Sequence, residues 1–293
     1  MKYKNLKKEN PGLLGFIGYK AGMKSGFVQD STKDSLSKGK RIIVPITIIE
    51  CPPMKILSIR LYKNKKVAKD ILNDNLDKEI KKKIKIPKKI ETPKKIEQIK
   101  PEEYDDITII AYTQAKKTNI KKKPDITEIG LTGTLTEKLQ YIKDNLKKEI
   151  RIQDAFQEGV VDIRGVTKGK GTQGPTKRFG LSLRDHKSEK GRRGPGSGGP
   201  WHPTKVNFRI PMAGQMGYFN RVVYNNKIIE INNVAEKDIN PEHGFKKYGK
   251  IKTDYIILFG SVQGPVKRPI IITTPLRPSK KQIKKNFELI SIR

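Results

Sequence analysis

Cysteine, tryptophan and acidic residues are scarce in this sequence. Of 293 residues one is Cys and one is Trp, and 30 Asp and Glu face 63 Lys and Arg. A single thiol, Cys51, excludes a disulfide framework and a cysteine-built zinc cluster, and reads as a small buried residue. No apolar run approaches the roughly 18 residues that a membrane-spanning helix needs. The opening MKYKNLKKENPG has no apolar stretch and predicts no secretory signal. These absences lead to the expectation of an intracellular protein. The apolar share is 34% and the charged share 32%, the latter against about 25% in an average chain. A core is expected, with a large part of the chain outside it. The shortage of acids leaves a formal charge of +33, which points to a polyanionic partner, nucleic acid first. An anionic membrane surface would want an amphipathic helix with a basic face and aromatic anchors, and none is evident.

The charge is unevenly spread. Segment 61–150 holds 15 of the acids beside 23 Lys and Arg, an ordinary surface mixture. Segment 164–209 holds 12 Lys and Arg, only Asp185 and Glu189 as acids, and 10 of the 25 glycines. Around these lie strand patterns: PGLLGFIGYKAGM (11–23), RIIVPITIIE (41–50) and KILSIRLYK (55–63), then GVVDIRGV (159–166), RVVYNNKIIEI (221–231), DYIILFGSV (254–262) and RPIIITTPL (268–276). Pro45 inside the second run predicts an edge or a bulge. Asn225-Asn226 predicts a tight turn, since Asn tolerates positive φ. Between the two groups, Val67, Ile71, Leu72, Leu76 and Ile80 fall at helical spacing. Residues 86–99 read as a loop or irregular helix and DITIIAY (106–112) as a strand. Thr134 with Glu137 forms a capping box ahead of Leu135, Leu139, Ile142 and Leu146. Residues 63–150 therefore read as a small α/β unit inserted between strands of one barrel or sandwich. Met23 and Met54 read as core, and the basic end, RPSKKQIKKNFELISIR, as a surface tail.

Segment 164–209 is too polar, and too rich in Gly and Pro, to build a core, a long helix or a regular ladder. A loop of this length is usually functional or disordered. Either it is a disordered basic linker, or it is an arm that orders against phosphates. In the second reading Gly169, Gly171 and Gly174 bring backbone N–H groups close to an anion, Arg and Lys supply charge, and Phe179, Trp201 and Phe208 stack on unpaired bases. Two glycine patterns here, starting at Gly169 and Gly194, match the dinucleotide fingerprint in letters only. The true fingerprint opens a helix after a strand and needs an acid about twenty residues on, whereas Pro175 follows the first match and Pro200 with Trp201 the second. His186 beside Asp185 lacks a nucleophile and a pocket, so it makes a poor catalytic dyad. His202, next to Trp201, reads as a hydrogen-bonding and stacking residue, because no second metal ligand lies at a useful spacing. GQMGYFNR (214–221) is either a turn with one aromatic in the core or an aromatic and basic patch.

Seven ordered blocks carry a specific resemblance: GFIGYKAGM (15–23), VPITIIECPPM (44–54), KKKPDI (121–126), VTKGKGTQGPTKRFG (166–180), GPWHP (199–203), PMAGQMGYFNR (211–221) and GSVQGPVKRPII (260–271). In these the chain resembles the universal family of large-subunit ribosomal protein three, in its archaeal and eukaryotic branch. The resemblance implies a mainly β protein with an α/β insert: a translation-protein-type β-barrel over 11–62 and 151–276, and an inserted subdomain over 63–150. A long basic loop over 164–209 would penetrate ribosomal RNA. Tails would lie at 1–10 and 277–293. Only about ten residues, MKYKNLKKEN, precede the first strand, where archaeal members carry a longer basic extension.

The implied role is structural. The protein would bind 23S-like rRNA beside neighbouring large-subunit proteins in the cytoplasm and join the subunit early in assembly. It would send its loop toward the peptidyl transferase centre, with no cofactor, metal, small-molecule substrate or enzymatic activity of its own. The residues that would contact rRNA are Arg164, Lys168, Lys170, Lys177, Arg178, His186, Lys187, Lys190, Arg192, Arg193, Trp201, His202, Lys205, Arg209, Arg221, Lys267 and Arg268. Gly199, Pro200, Trp201 and His202 would form the tip. The competing reading is a free RNA- or DNA-binding protein of chaperone or chromatin type. It would want a groove-reading module, and no helix-turn-helix, zinc finger or RNA-binding aromatic strand pair is evident.

Overall fold

The computed structural model describes residues 12–87, 96, 99–157, 159–187, 191–202 and 204–293. The N-terminal tail expected at 1–10, most of the irregular stretch within 86–99, and Lys190 lie outside these residues. The described chain is mainly β, with few and short helices. It divides into two compact units, one made of 1–165 with 222–293 and the other of 166–221.

The first unit is organised by β1 (Gly15–Asp30), which pairs antiparallel with three partners along its length. Its start pairs with β12 (Pro269–Thr273), its middle and end with β2 (Arg41–Cys51), and its last residues also with β13 (Phe287–Ile292). β7 (Val160–Val166), β10 (Asn220–Asn233) and β11 (Asp254–Phe259) complete a sheet of order β12-β7-β10-β11-β2-β1-β13. The extra β12–β1 pairing brings the sheet back on itself, so six strands form a closed ring of pairings and β13 stands outside it. Runs of Ile and Val fit these strands because β-branched side chains pack well on a pleated surface. Ile46, Ile48, Ile49, Ile256, Ile257 and Ile272 are all fully buried.

A second sheet, β4-β3-β5-β6, is made of β3 (Met54–Lys63), β4 (Lys66–Leu72), β5 (Asp106–Thr113) and β6 (Ile126–Gly130). Ile56, Ile59, Ile107, Ile109 and Ile129 from this sheet share one buried cluster with Phe16, Ile17, Ile49 and Ile272 of the ring. The helix Leu135–Asn145 adds Leu139 and Ile142 to that cluster, with Leu135 and Leu146 packed against it. Its capping box is formed: Thr134 Oγ1 accepts from the Glu137 amide, and the Thr134 amide donates to Glu137 Oε2 at 3.0 Å.

Several expectations need correction. Residues 67–84 are not a helix: β4 runs to Leu72, and one turn of 3-10 helix follows at Lys78–Lys82. The cause is the two-residue turn Asn64-Lys65, with φ of 52° and 62°, which folds β4 back on β3 with Lys63 opposite Lys66. β3 belongs to the second sheet and not to the ring. Asn225 has the left-handed φ, 55°, but reverses nothing. It sits inside β10, held by its amide to Asp162 Oδ1 at 2.8 Å and by its side chain to Arg277 O and Ser279 N. Pro45 marks neither an edge nor a bulge, because β2 lies between β11 and β1. It lies opposite Gly260, whose amide donates to Pro45 O at 2.8 Å, and Thr47 Oγ1 donates to Gly260 O at 2.7 Å in place of the N–H that Pro45 lacks. Met54 is buried, as expected, but Met23 is 45% exposed. The C-terminal residues add the strand β13 to the sheet.

Tight packing generates one prediction. A Cβ on Gly18 would sit 2.5 Å from Ile49 Cγ2 and 3.1 Å from Cys51 Sγ, both on β2. Gly18→Ala is expected to cost about 1–3 kcal/mol through overpacking, read as a shift in the urea midpoint, and an unchanged midpoint would show that the ring yields there. Buried polar pairing generates another. Burial works against the ionised Asp77 carboxyl, but hydrogen bonds from Lys55 Nζ at 2.8 Å and Tyr112 OH at 3.0 Å outweigh it and hold the group below the usual carboxylate range. A depressed carboxylate stabilises the fold above its unfolded pKa, and that contribution disappears as pH falls through the folded value. Asp77→Asn is expected to lower stability near neutrality by about 1–3 kcal/mol and to flatten the acid limb of the stability–pH curve. A limb as steep as before would assign acid sensitivity to other carboxylates.

Candidate nucleic-acid interface

The second unit, 166–221, carries 12 Lys and Arg against two acids. None of its described residues is buried. Its large apolar side chains face outward: Phe179, Leu183, Trp201, Val206, Phe208, Met212, Tyr218 and Phe219 are all exposed, with Trp201 at 82% and Phe208 at 90%. A monomeric protein rarely leaves so many large apolar groups together in solvent without a partner for them.

Main-chain hydrogen bonds hold the unit together. Residues 167–173 run beside 214–219 as a ribbon. The Thr167 amide donates to Phe219 O at 3.0 Å, Lys170 N to Met216 O at 2.9 Å, and Met216 N to Gly171 O at 2.9 Å. The short strands β8 (Thr172–Gln173) and β9 (Gly214–Gln215) continue the pairing. Gly217, at φ 73°, and Tyr218, at φ 59°, turn the returning chain through the left-handed region. Only glycine fits at 217, because a Cβ there would overlap the Lys168 carbonyl. Beyond the ribbon, Gly174 caps a single helical turn, Pro175–Phe179, which Gly180 ends at φ 71°. Arg178 donates to Met212 O at 2.9 Å and so ties that turn to the returning chain. Further out, the Arg184 amide reaches Arg192 O at 3.2 Å, and Arg192 Nε reaches Arg184 O at 3.0 Å.

The ribbon and the helical turn enclose an open cavity of about 550 Å³. Lys168, Lys170 and Arg178 line it together with Phe179, Met216 and Phe219. Guanidinium groups lie over both rings, Arg178 at 5.0 Å from the Phe179 centroid and Arg221 at 5.1 Å from that of Phe219. Arg209 sits 5.5 Å from the Phe208 ring. Arginine so placed keeps its charge in water while its plane covers an aromatic face.

The residues singled out from sequence are distributed as follows. Lys168, Lys170 and Arg178 converge on the cavity. Lys177, His186, Lys187, Arg192, Arg193, Lys205 and Arg209 are exposed, as are Trp201 and His202 at the expected tip, where Gly199 has φ 139°. Gly169 packs its open face on Tyr218, Gly171 takes φ 66°, and Gly174 has open space where a Cβ would be. Arg164, Lys267 and Arg268 belong to the first unit. Arg164 lies on β7 opposite Ile271. Lys267 takes φ 68° and donates its amide to Lys20 O at 2.9 Å, while the buried Lys20 ammonium donates to the carbonyls of Val262 and Gly264 and fixes that loop from beneath. Sequence reasoning missed Thr167, Gln215 and Met216 as cavity residues, because their neighbourhood comes from pairing across more than forty positions. No group of His, Cys, Asp and Glu among the described residues is arranged to hold a metal ion.

Gly217→Ala is expected to open the ribbon. The Lys170 and Met216 amides should lose hydrogen-exchange protection while Ile48 and Ile256 keep theirs; retained protection would show that the ribbon tolerates a shifted turn.

Comparison with known proteins gives the family. The family model for ribosomal protein L3 matches residues 3–292. Large ribosomal subunit protein uL3 of Methanosphaera stadtmanae is 42% identical over 288 residues, covering 94% of this chain and 86% of that protein. The protein of the same name from Methanocaldococcus jannaschii is 42% identical over 283 residues, covering 93% and 84%, and that of Archaeoglobus fulgidus is 40% identical over 278 residues, covering 92% and 83%. The match runs through the ring, the second sheet and the basic unit alike, and the chain belongs to the ribosomal protein L3 family.

Proposed function

We propose that this chain is a structural constituent of the large ribosomal subunit in the cytoplasm, that it binds 23S-like rRNA, and that it joins the subunit early in assembly beside neighbouring ribosomal proteins. In this reading the closed ring is the family's translation-protein-type barrel, and the second sheet with its helix is the α/β insert. Segment 164–209 is the loop that runs through RNA toward the peptidyl transferase centre, with Gly199, Pro200, Trp201 and His202 at its tip. Its role is architectural, and peptide-bond chemistry belongs to the RNA.

One observation carries the reading: 166–221 has a large excess of positive charge, and none of its described residues is buried. Such a segment gains little from packing on itself and repels itself electrostatically. Folded RNA supplies what it lacks, namely phosphates for Lys and Arg and base faces for the exposed rings. Each neutralised phosphate releases counterions, so affinity falls steeply as salt rises.

The test is sedimentation of native lysate at low and then high salt, with this protein followed across the gradient. The expected outcome is migration with the large subunit that survives the high-salt wash, because an arm enclosed by RNA leaves only when the RNA opens. Migration at the top of the gradient in growing cells, at both salts, would reject the reading in favour of a free nucleic-acid-binding protein.

A further inference from the structure

The cavity in the basic unit has a chemistry more specific than general attraction to phosphate. Its walls combine three cations, Lys168, Lys170 and Arg178, with two aromatic rings, Phe179 and Phe219, and the thioether chain of Met216. The cations alone would serve a phosphate anywhere on the surface. The rings are out of place in that role, because a solvated phosphate gains nothing from an apolar wall. A ligand that satisfies both sets of groups must carry negative charge and a flat apolar face within a few ångströms of each other. A nucleotide meets that description. At about 550 Å³ the cavity lies within the roughly 300–1,000 Å³ of ordinary small-ligand sites.

We propose that this cavity receives one unstacked nucleobase of a single-stranded RNA segment, with the flanking phosphates held by Lys168, Lys170 and Arg178. The site rests on the RNA-binding reading and narrows it to one pocket and one kind of RNA conformation. Arg178 lies over the Phe179 ring and Arg221 over the Phe219 ring. Each guanidinium polarises its ring from one side, leaving stacking surface for a base on the other. The frame is built in advance. The bonds from Thr167 to Phe219 and from Lys170 to Met216 fix the floor, and the Arg178 bond to Met212 O fixes the helical turn that carries Phe179. Gly217 permits the turn that brings Phe219 beside Lys168. Any base has a π face, so stacking accepts all four bases with modest preference. Duplex RNA is excluded, because its bases are stacked on one another.

The test compares two single-stranded oligoribonucleotides of equal length and charge. One carries 2-aminopurine at its centre, and the other an abasic site there. Binding of the full chain is followed by competition at several salt concentrations, and stacking by quenching of 2-aminopurine fluorescence. The expected result is about tenfold tighter binding of the base-containing strand, with quenching. In the double variant Phe179→Leu, Phe219→Leu that preference and the quenching should disappear. In Lys168→Gln both strands should weaken alike and the salt slope should fall by about one phosphate. Equal affinity of the intact chain for the two strands would overturn the base pocket and leave phosphate binding in place. Failure to bind either strand at low salt would overturn the pocket and the RNA-binding reading together. A preference that survives in the double leucine variant would place the base elsewhere and reject the assignment of these rings.

Discussion

The ladder formed by β1 is the constraint on which the first unit depends. One strand of 16 residues contacts β12 at its start, β2 through most of its length and β13 at its end. That division of labour requires the strand to bend, and the register shift between Lys20 and Gly22 lies where it leaves β12 for β2. Gly18 lies against Ile49 with no room for a side chain, and a Cβ on Gly26 would crowd Ile46 at 3.1 Å, so the partners approach closely on either side of the bend. Without this strand the ring of six would be an open sheet, with β12 and β2 exposed as edges. The shared cluster of Phe16, Ile17, Ile56 and Ile109 would also lose one wall.

The two units are stabilised by different physics. The ring and second sheet bury Ile, Leu, Val and Phe and pair some of their internal polar groups closely. Glu50, fully buried, accepts hydrogen bonds from Tyr248 OH, from the amides of Lys252 and Thr253, and from Thr253 Oγ1. The basic unit has main-chain hydrogen bonds and cation–ring contacts, but none of its described residues is buried. Hydrogen bonds exposed to water contribute little net stability. Its geometry is therefore a template for a ligand more than a folded state with its own reserve.

The sequence made the strands legible wherever β-branched residues alternate or run together, as in β2, β5 and β12, and it made the capping box at Thr134 legible because that motif is local. It misled at β4, where Val67 and Ile71 satisfy a helical spacing while the deciding signal is the Asn64-Lys65 turn, which lacks the glycine that usually marks such a reversal. Asn225 announced an unusual φ correctly, but whether the chain then reverses depends on Asp162, 63 positions earlier in the chain. Charge and glycine content marked out the arm. They did not disclose the cavity, because Lys168, Arg178 and Phe219 become neighbours only through ribbon pairing.

The arm leaves from β7 and returns into β10, and these two strands are hydrogen-bonded neighbours in the ring. Closing a loop of 56 residues at random costs about 3.5 kcal/mol of chain entropy, with a further constant. Here the folding of the ring bears that cost before any partner arrives. The arm's two sides are then held at an effective concentration far above that of free peptides. What remains on association is local ordering, so the ring is a preorganising clamp even if it touches no nucleotide. Changes of length at the far end of the loop carry a small closure penalty, because each doubling adds only about 0.6 kcal/mol. Natural variation can therefore remodel the tip while the roots stay fixed.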